Sequence, residues 1–187
     1  MFTYQTLDIP AIPFCLLENW DYTQGGLEQD NYERNLKYTM TRKGQPVTPA
    51  RNRRWTITGE LLQWIHTHVT ENYDMCGYAI TTESADHLPH RDAAGDYKLL
   101  YVVDPGGDNV ITSFYATSDD IPLGWRPNNF DSLEEIDRFK AETNSWIIIN
   151  TRIVHGVSNM TGDRHLISLT CTGDPAKFQP KIHQHTQ

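Results

Sequence analysis

Cysteine is scarce in this sequence. The chain of 187 residues contains three, Cys15, Cys76 and Cys171, which are far apart and form no Cys-x-x-Cys pair. An odd number of widely spaced cysteines argues against a disulfide framework and against a cysteine-rich zinc site. With 38% hydrophobic and 11% aromatic residues, the composition is that of a folded protein stabilised by a hydrophobic core.

Long apolar runs and positive net charge are also missing. No stretch reaches the length of a membrane span, and the first ten residues, MFTYQTLDIP, do not have the basic and then apolar pattern of a signal peptide. The formal net charge of -8 disfavours nonspecific binding to nucleic acid. We therefore predict a soluble, cytoplasmic protein that binds neither membranes nor nucleic acid; its oligomeric state is not predicted.

A basic cluster is the local exception to this acidic character. Five basic side chains fall within thirteen positions: Arg42, Lys43, Arg51, Arg53 and Arg54. A solvated loop is the simpler interpretation, and a patch for an acidic substrate is the functional one. Residues 21–54 as a whole are polar, and they predict loops with little regular structure.

The hydrophobic pattern predicts one helix followed by several short strands. Residues 1–20 are typical of an edge strand and a loop. An apolar stripe over 58–72 predicts a helix that Thr58 can cap. In the excursion 117–145, Ser132 and Glu135 have capping-box spacing and predict a short helix near 132–142. The segments that predict strands are 75–82, 97–103, 109–116, 146–150 and 164–171. This order predicts a mainly β fold with flanking helices, a β-sandwich or a jelly roll.

The tripeptide His90-Arg91-Asp92 is the most informative motif. It is the only His-x-Asp or His-x-Glu in a chain with eight histidines. In a strand, residues two apart project to the same face, so this imidazole and this carboxylate can reach one metal ion. A hydrogen-bonded pair on a surface loop is the alternative.

His155 and Arg164 extend this motif. His155 follows an apolar strand, and two histidines with one carboxylate leave three positions open on an iron ion. Arg164 comes nine residues later, at the start of the last strand, where a guanidinium can grip a carboxylate through two parallel hydrogen bonds. The alternatives are a buried histidine that donates to a carbonyl, and a salt bridge from Arg164 to Asp163 or Asp174.

The other histidines are not expected to bind a metal. His87 is three residues before His90 and should point to the opposite face of an extended chain. His165 should point away from Arg164 on the last strand. The remaining four are expected to be structural or solvated: His66, His68, His183 and His185.

These motifs resemble the 2-oxoglutarate and iron(II)-dependent oxygenases, whose core is a double-stranded β-helix of the jelly-roll, cupin-like type. Their signature of His-x-Asp, a distant His and a later Arg or Lys corresponds here to His90, Asp92, His155 and Arg164. The stretch HRDAAGDYKLLYVVDPGG is similar to prolyl-hydroxylase-like members. The stretch WIIINTRIVHGVSNMTGDRHLISL is similar to the aspartyl/asparaginyl and proline hydroxylase branch.

The resemblance implies a fold, cofactors and a reaction. The oxygenase core would span about 75–172 of a single domain, with residues 1–74 as a buttressing extension. Fe(II) would be held by His90, Asp92 and His155, and 2-oxoglutarate by Arg164. The reaction would hydroxylate a substrate carbon, in an amino acid side chain that is free or part of a peptide, and would release succinate and CO2.

Individual positions refine this expectation. Asp92 stands where halogenating relatives carry a small residue, which favours hydroxylation. Thr170 stands where the DNA-alkylation-repair branch carries a second arginine, which counts against nucleobase demethylation. Ser168 is expected to contact the cosubstrate, although many relatives carry this serine two residues after the arginine. Lys98 and Tyr101 are three apart on one strand, so one of them should face the pocket, and we predict Tyr101.

Two further choices stay open. Trp125 and Arg126 in the long excursion are either substrate contacts or part of a packed loop. A cupin-like metalloenzyme without 2-oxoglutarate is one competing class, although the three histidines and a glutamate usual in cupins are missing. A metal-free jelly-roll binding module is the other.

Overall fold

Two facing β-sheets form the core of the structure, a computed structural model that describes residues 2–30, 40–47, 50–82, 86–117, 121–127 and 129–175. The helices of this part of the chain are α1 (Phe14–Glu18) and α2 (Gly59–His68), with 3-10 turns at Tyr22–Gly25 and Phe130–Ser132. The strands are β1 (Tyr4–Leu7), β2 (Leu27–Asp30), β3 (Met40–Arg42), β4 (Gln45–Val47), β5 (Arg51–Thr56), β6 (Met75–Thr82), β7 (His87–His90), β8 (Tyr97–Asp104), β9 (Ile111–Ala116), β10 (Glu134–Phe139), β11 (Trp146–Asn150), β12 (Val154–Ser158) and β13 (Arg164–Cys171).

From β6 onward the chain passes back and forth between the two sheets, and only β9 and β10 follow one another in the same sheet. The major sheet has the order β1-β11-β8-β13-β6-β5-β2, and the minor sheet has the order β10-β9-β12-β7. All neighbours in both sheets are antiparallel. Two antiparallel sheets that share one winding chain in this way form a jelly roll. The predicted mainly β, double-stranded β-helix fold is therefore confirmed.

Both faces of the major sheet are covered, and this explains its continuous apolar strands. Alternate residues of a strand point to opposite faces, so Ile147 and Ile149 pack between the sheets while Trp146 and Ile148 pack on the outside. The outer face is covered by α2 through Leu61 and Ile65, and by the chain before α1. A strand such as WIIIN is apolar at every position except its end because neither face meets solvent.

Helix α2 confirms the helix that the apolar stripe over 58–72 predicted. It is shorter than predicted, because the backbone leaves the helical conformation at Val69, and Thr58 makes no side-chain capping bond. His66 and His68 are structural, as expected. The His66 ring contacts the Tyr73 hydroxyl at 2.6 Å, and the His68 ring contacts the Trp64 carbonyl at 3.0 Å.

The helix predicted near 132–142 is wrong, since this segment forms strand β10. Glu134–Phe139 pairs with β9 along the edge of the minor sheet, and Phe139 is buried between the sheets. Ser132 does not form the capping box; its hydroxyl donates to the Asn129 carbonyl in a tight turn. The ladder with β9 supplies backbone hydrogen bonds that outweigh the local helical preference.

The prediction of little regular structure over 21–54 is also wrong. The described part of this segment contains β2, β5 and a separate hairpin of β3 and β4. β2 and β5 end the major sheet, where charged side chains are common, and Arg51 forms an ion pair with Asp30 across the two strands. The charged composition therefore marks a sheet edge here and not a loop.

Within the described ranges, no helix is long and apolar enough to cross a membrane. Residues 176–187, with His183 and His185, lie outside those ranges.

Candidate active site

A cavity of about 410 Å³ lies between the two sheets. Its volume is within the range usual for small-molecule sites. The predicted ligands His90, Asp92 and His155 line this cavity, and so do Arg164 and Ser168. The structure thus brings together five of the six site residues that the sequence predicted.

His90 and His155 face each other across two neighbouring strands. β7 and β12 are antiparallel, and His90 lies directly opposite His155, with 4.6 Å between the ring centroids. The close approach depends on Gly156, because a Cβ there would lie 3.0 Å from the His87 carbonyl oxygen. β7 is at the edge of its sheet, where Pro89 removes no ladder hydrogen bond from an inner strand.

Asp92 reaches the same point from the loop after β7. The prediction that it shares a strand with His90 is wrong, because β7 ends at His90. The Asp92 backbone N–H donates to the Thr151 carbonyl, which holds this loop against the turn after β11. One carboxylate oxygen is 3.3 Å from His90 Nε2, and the other is 4.0 Å from His155 Nε2. One ligand atom from each of the three residues lies within 4.8 Å of the other two.

Both imidazoles are oriented for metal binding. The Nδ1 atoms of His90 and His155 each lie 2.9 Å from a backbone carbonyl oxygen, those of Leu88 and Ile153. A carbonyl only accepts, so each Nδ1 carries a proton, and Nε2 is the ring nitrogen that each histidine directs toward Asp92. Burial, and then the neighbouring His90, lower the pKa of His155 to about 4, so this ring is neutral at physiological pH. Two imidazoles and one carboxylate fit Fe(II).

Lys98 forms an ion pair with Asp92. Its Nζ atom is 2.7 Å from the Asp92 oxygen Oδ2. Burial by itself raises the pKa of Asp92, but Lys98 and the hydrogen bond with His90 outweigh it and hold the pKa well below its usual range. The carboxylate is therefore ionised, with one oxygen next to Lys98 and the other next to His90.

Tyr101, the predicted cosubstrate contact on β8, does not face the cavity, and this prediction is wrong. Its hydroxyl donates to Asn144 at 3.0 Å and accepts from the Ile12 backbone N–H at 3.1 Å, in the core on the outer face of the major sheet. Lys98 and Leu100 are the cavity-facing residues of this strand. Because strand side chains alternate, Tyr101 must point outward when Leu100 points inward.

We expect the Lys98→Met variant to destabilise the metal-free protein by roughly 3 kcal/mol, because a buried carboxylate loses its charge partner. Adding Asp92→Asn to this variant should recover most of the loss, since no charge is then left unpaired. Urea unfolding of the single variants and the double variant measures this coupling. Additive effects of the two substitutions would show that the pair does not interact.

Arg164 is buried in the cavity wall with unused hydrogen-bonding capacity. It is 4% exposed, and among the described residues its Nε atom has no hydrogen-bond partner. Burial lowers the pKa of Arg164 to about 10, so the guanidinium is still charged at neutral pH. A buried charge is costly unless it is paired, and an anionic ligand in the cavity would pair it.

His87 differs from the prediction, because it faces the cavity beside His90. Their ring centroids are 4.6 Å apart, and burial, followed by the charge of His90, lowers the pKa of His87 well below its usual range. The cause is a register irregularity in which four residues of β7, 87–90, lie opposite three residues of β12, 155–157. This bulge turns residues three apart toward the same side. His165 contacts the Tyr78 hydroxyl at 2.8 Å, and Tyr78 packs in the outer core.

Three further arginines line the cavity, namely Arg54, Arg91 and Arg126. Arg54, from the basic cluster, is 8% exposed on β5, and its Nη2 donates to Ser168 Oγ at 3.1 Å. The sequence placed Arg54 in a cluster interpreted as a solvated loop or as a patch for an acidic substrate, and the strand-face spacing of Asn52 and Arg54 was not used. Arg126 also lines the cavity and donates to the Leu88 carbonyl at 2.8 Å, whereas Trp125 beside it is 57% exposed.

Comparisons with known proteins give similarity to solved structures only. No protein-family model and no curated protein matches the chain. The structure of ycfD from E. coli is similar over 56% of this chain and 27% of that one, at 11% identity and a TM-score of 0.35. A prolyl hydroxylase from Trichoplax adhaerens, solved with a peptide fragment of hypoxia inducible factor, is similar over 90% of this chain and 82% of that one, at 13% identity and a TM-score of 0.49.

Vicilin from hazelnut, Corylus avellana, is similar over 72% of this chain and 32% of that one, at 11% identity and a TM-score of 0.36. At identities this low, what the protein does must follow from the chemistry of its own cavity.

Proposed function

We propose that this protein is a 2-oxoglutarate- and Fe(II)-dependent oxygenase that hydroxylates a substrate carbon. The observation that carries the proposal is the convergence in one cavity of two oriented imidazoles, one ionised carboxylate and a buried guanidinium: His90, His155, Asp92 and Arg164. Two histidines and a carboxylate are the ligand set of non-haem Fe(II) oxygenases. The guanidinium matches the far carboxylate of a keto acid bound at the metal.

The proposed reaction converts a substrate C–H bond, dioxygen and 2-oxoglutarate into a C–OH group, succinate and CO2. One oxygen atom enters the substrate and the other enters succinate, so no further reductant is needed. When bound, iron(II) with 2-oxoglutarate would supply the activation of dioxygen that side chains cannot provide.

The side chains around the ligands have separate tasks. Arg164 would fix the orientation of the cosubstrate through its far carboxylate. Lys98 keeps Asp92 ionised and holds one of its oxygens, which leaves the other for the metal. Leu100 and Ile149 form part of an apolar wall that limits water in the cavity. The substrate is proposed to be an amino acid side chain, free or within a peptide.

Anaerobic titration of the metal-free protein with Fe(II) and then 2-oxoglutarate tests the cofactors. We expect a visible charge-transfer band when the keto acid chelates iron, and we expect His155→Ala to abolish it. His165→Ala is the matched control, because this histidine contacts Tyr78 outside the cavity, and it should give the same band as the wild type.

The possible outcomes separate the competing classes. If iron binds and no band forms, a cupin-like metalloenzyme without 2-oxoglutarate becomes the better assignment. If iron does not bind to the wild type, the three residues are not a metal centre, and a binding module is the remaining class. A band in His155→Ala equal to that of the wild type would refute the ligand set.

A further inference from the structure

The charges around the cavity are unbalanced in favour of cations. Its described lining includes Arg54, Arg91, Lys98, Arg126 and Arg164, but Asp92 is the only carboxylate among these lining residues. This contrasts with the net charge of -8 for the whole chain. Cations concentrated in a cleft attract and retain anionic ligands.

Most of these cations have an identified contact. Lys98 pairs with Asp92, and Arg164 is assigned above to the cosubstrate. Arg91 donates to the Ile121 carbonyl at 2.7 Å and Arg126 to the Leu88 carbonyl at 2.8 Å, contacts that fix the 121–127 loop beside the cavity. Arg54 is the cation that none of these tasks explains.

The Arg54 side chain packs closely against the neighbouring strand. It lies across Gly77 of that strand, β6, where a Cβ would be 2.7 Å from Arg54 Cγ and 2.8 Å from Cδ. Nη2 donates to the neutral hydroxyl of Ser168, and Nη1 is 4.0 Å from the Met75 sulfur. These contacts leave its positive charge unneutralised, and the described residues show no ion pair between Arg54 and a carboxylate. A guanidinium more than nine-tenths buried in this state favours an anionic ligand.

Arg54 and Arg164 define two separate points of the cavity. Ser168, the partner of Arg54, is on the same face of β13 as Arg164 but four residues further along. At the rise of an extended strand, their Cα atoms are about 13 Å apart. One short dicarboxylate that is held at Arg164 and at the metal therefore leaves the Arg54 end for another ligand.

We propose that Arg54, with Ser168, binds a carboxylate of the substrate, and that the substrate is a small free carboxylic acid of the amino acid type. This inference rests on the proposed function for the identity of the second ligand. One unneutralised guanidinium matches the single charge of a carboxylate better than the higher charge of a phosphate. The cavity of about 410 Å³ is near the lower end of the usual range and must also hold the cosubstrate, which favours a small molecule over a buried peptide.

A first experiment tests the anion site without iron. In an Arg164→Leu background, amide resonances of Gly77 and Ser168 are followed by NMR during titration with N-acetylglycine. We expect saturable shifts with this acid, none with N-acetylglycinamide, and none with the acid when Arg54→Gln is added. No shift with the acid would overturn the proposal, whatever iron does. Stronger binding of methyl phosphate than of N-acetylglycine would overturn the assignment to a carboxylate.

A second experiment uses the enzyme loaded with iron and 2-oxoglutarate. Succinate release is screened with free amino acids, their carboxamides and short peptides. We expect acids to stimulate release and the matching amides not to, and we expect Arg54→Gln to raise the KM of the best acid about 10- to 100-fold, the loss expected for a charge-assisted contact.

Variants around Arg54 make the result specific. Gly77→Ala, which displaces the arginine stem, should raise the same KM, and Arg54→Lys should restore part of the affinity. Arg53→Gln is the matched control. Arg53 directly precedes Arg54 on β5, and its guanidinium carbon lies over the Trp55 ring, 5.4 Å from the ring centroid. The midpoint of the charge-transfer titration with 2-oxoglutarate should not change in Arg54→Gln. If the 2-oxoglutarate concentration at that midpoint rises by the same factor as the KM of the acid, Arg54 belongs to the cosubstrate site and the inference is wrong.

Discussion

The Asp92→Ala variant should lose more than 99% of the succinate release of the wild type while the fold is retained. Partners that only orient metal ligands cost about 10- to 100-fold when removed, so the loss of a ligand itself should exceed this. Asp92 presents one oxygen to His90 and the other to Lys98, and no other described acidic residue lies in the metal-ligand cluster. Iron affinity and succinate release are measured on the same preparation.

A fold defect is excluded with a second variant. Asp92→Ala leaves Lys98 without its charge partner, which lowers stability independently of the metal. The double variant Asp92→Ala with Lys98→Met removes both charges, so it should unfold at nearly the wild-type urea concentration and still be inactive. Substantial turnover in Asp92→Ala, with iron bound normally, would refute the ligand assignment.

Replacing Arg164 by leucine should have opposite effects on cosubstrate binding and on stability. The concentration of 2-oxoglutarate that gives the half-maximal charge-transfer band should rise by about 100-fold or more, since a charge-assisted bidentate contact is lost. In the absence of ligands, the same variant should be more stable by roughly 1–3 kcal/mol, because a buried and unpaired charge is replaced by an apolar side chain. Anaerobic titration and urea unfolding of the metal-free protein measure the two effects.

Two comparisons make this prediction specific. Arg138→Leu removes an arginine on the exposed strand β10, where the side chain is 69% exposed, and it should change neither quantity. Arg164→Lys keeps the charge but not the planar fork, so its affinity for 2-oxoglutarate should fall between those of the wild type and Arg164→Leu. Unchanged 2-oxoglutarate binding in Arg164→Leu would place the cosubstrate carboxylate elsewhere.

The inner strands of the major sheet from β6 onward were predicted well, whereas β2 and β5 at one end of that sheet and β7, β10 and β12 of the minor sheet were missed. The segments 75–82 and 164–171 agree with β6 and β13 at both ends, because a short apolar run bounded by turns is typical of a strand that is buried on both faces. β5 and β10 were missed because their charged residues face solvent or the cavity. Their strand conformation comes from hydrogen bonds to β6 and β9, which are distant in sequence.

The order of the motif along the chain was sufficient to select four side chains that line one cavity, His90, Asp92, His155 and Arg164, because their types and spacing are those that a metal and an anion would require. Only the tertiary structure decided how they meet. The register of β7 against β12 sets the two imidazoles side by side, and a bulge in that pairing turns His87 into the cavity. Neither is visible in a single sequence, since register depends on the partner strand.

The sequence by itself determined the fold class, the absence of a cysteine framework and the residue types of the proposed metal centre. The tertiary structure decided which side chains surround that centre: Lys98 in place of Tyr101, and Arg54 from a segment that had been interpreted as a loop. The physical reason is that a side chain faces the cavity or the outer core according to strand register and to what covers each sheet face. Both are set by contacts between residues far apart in the chain.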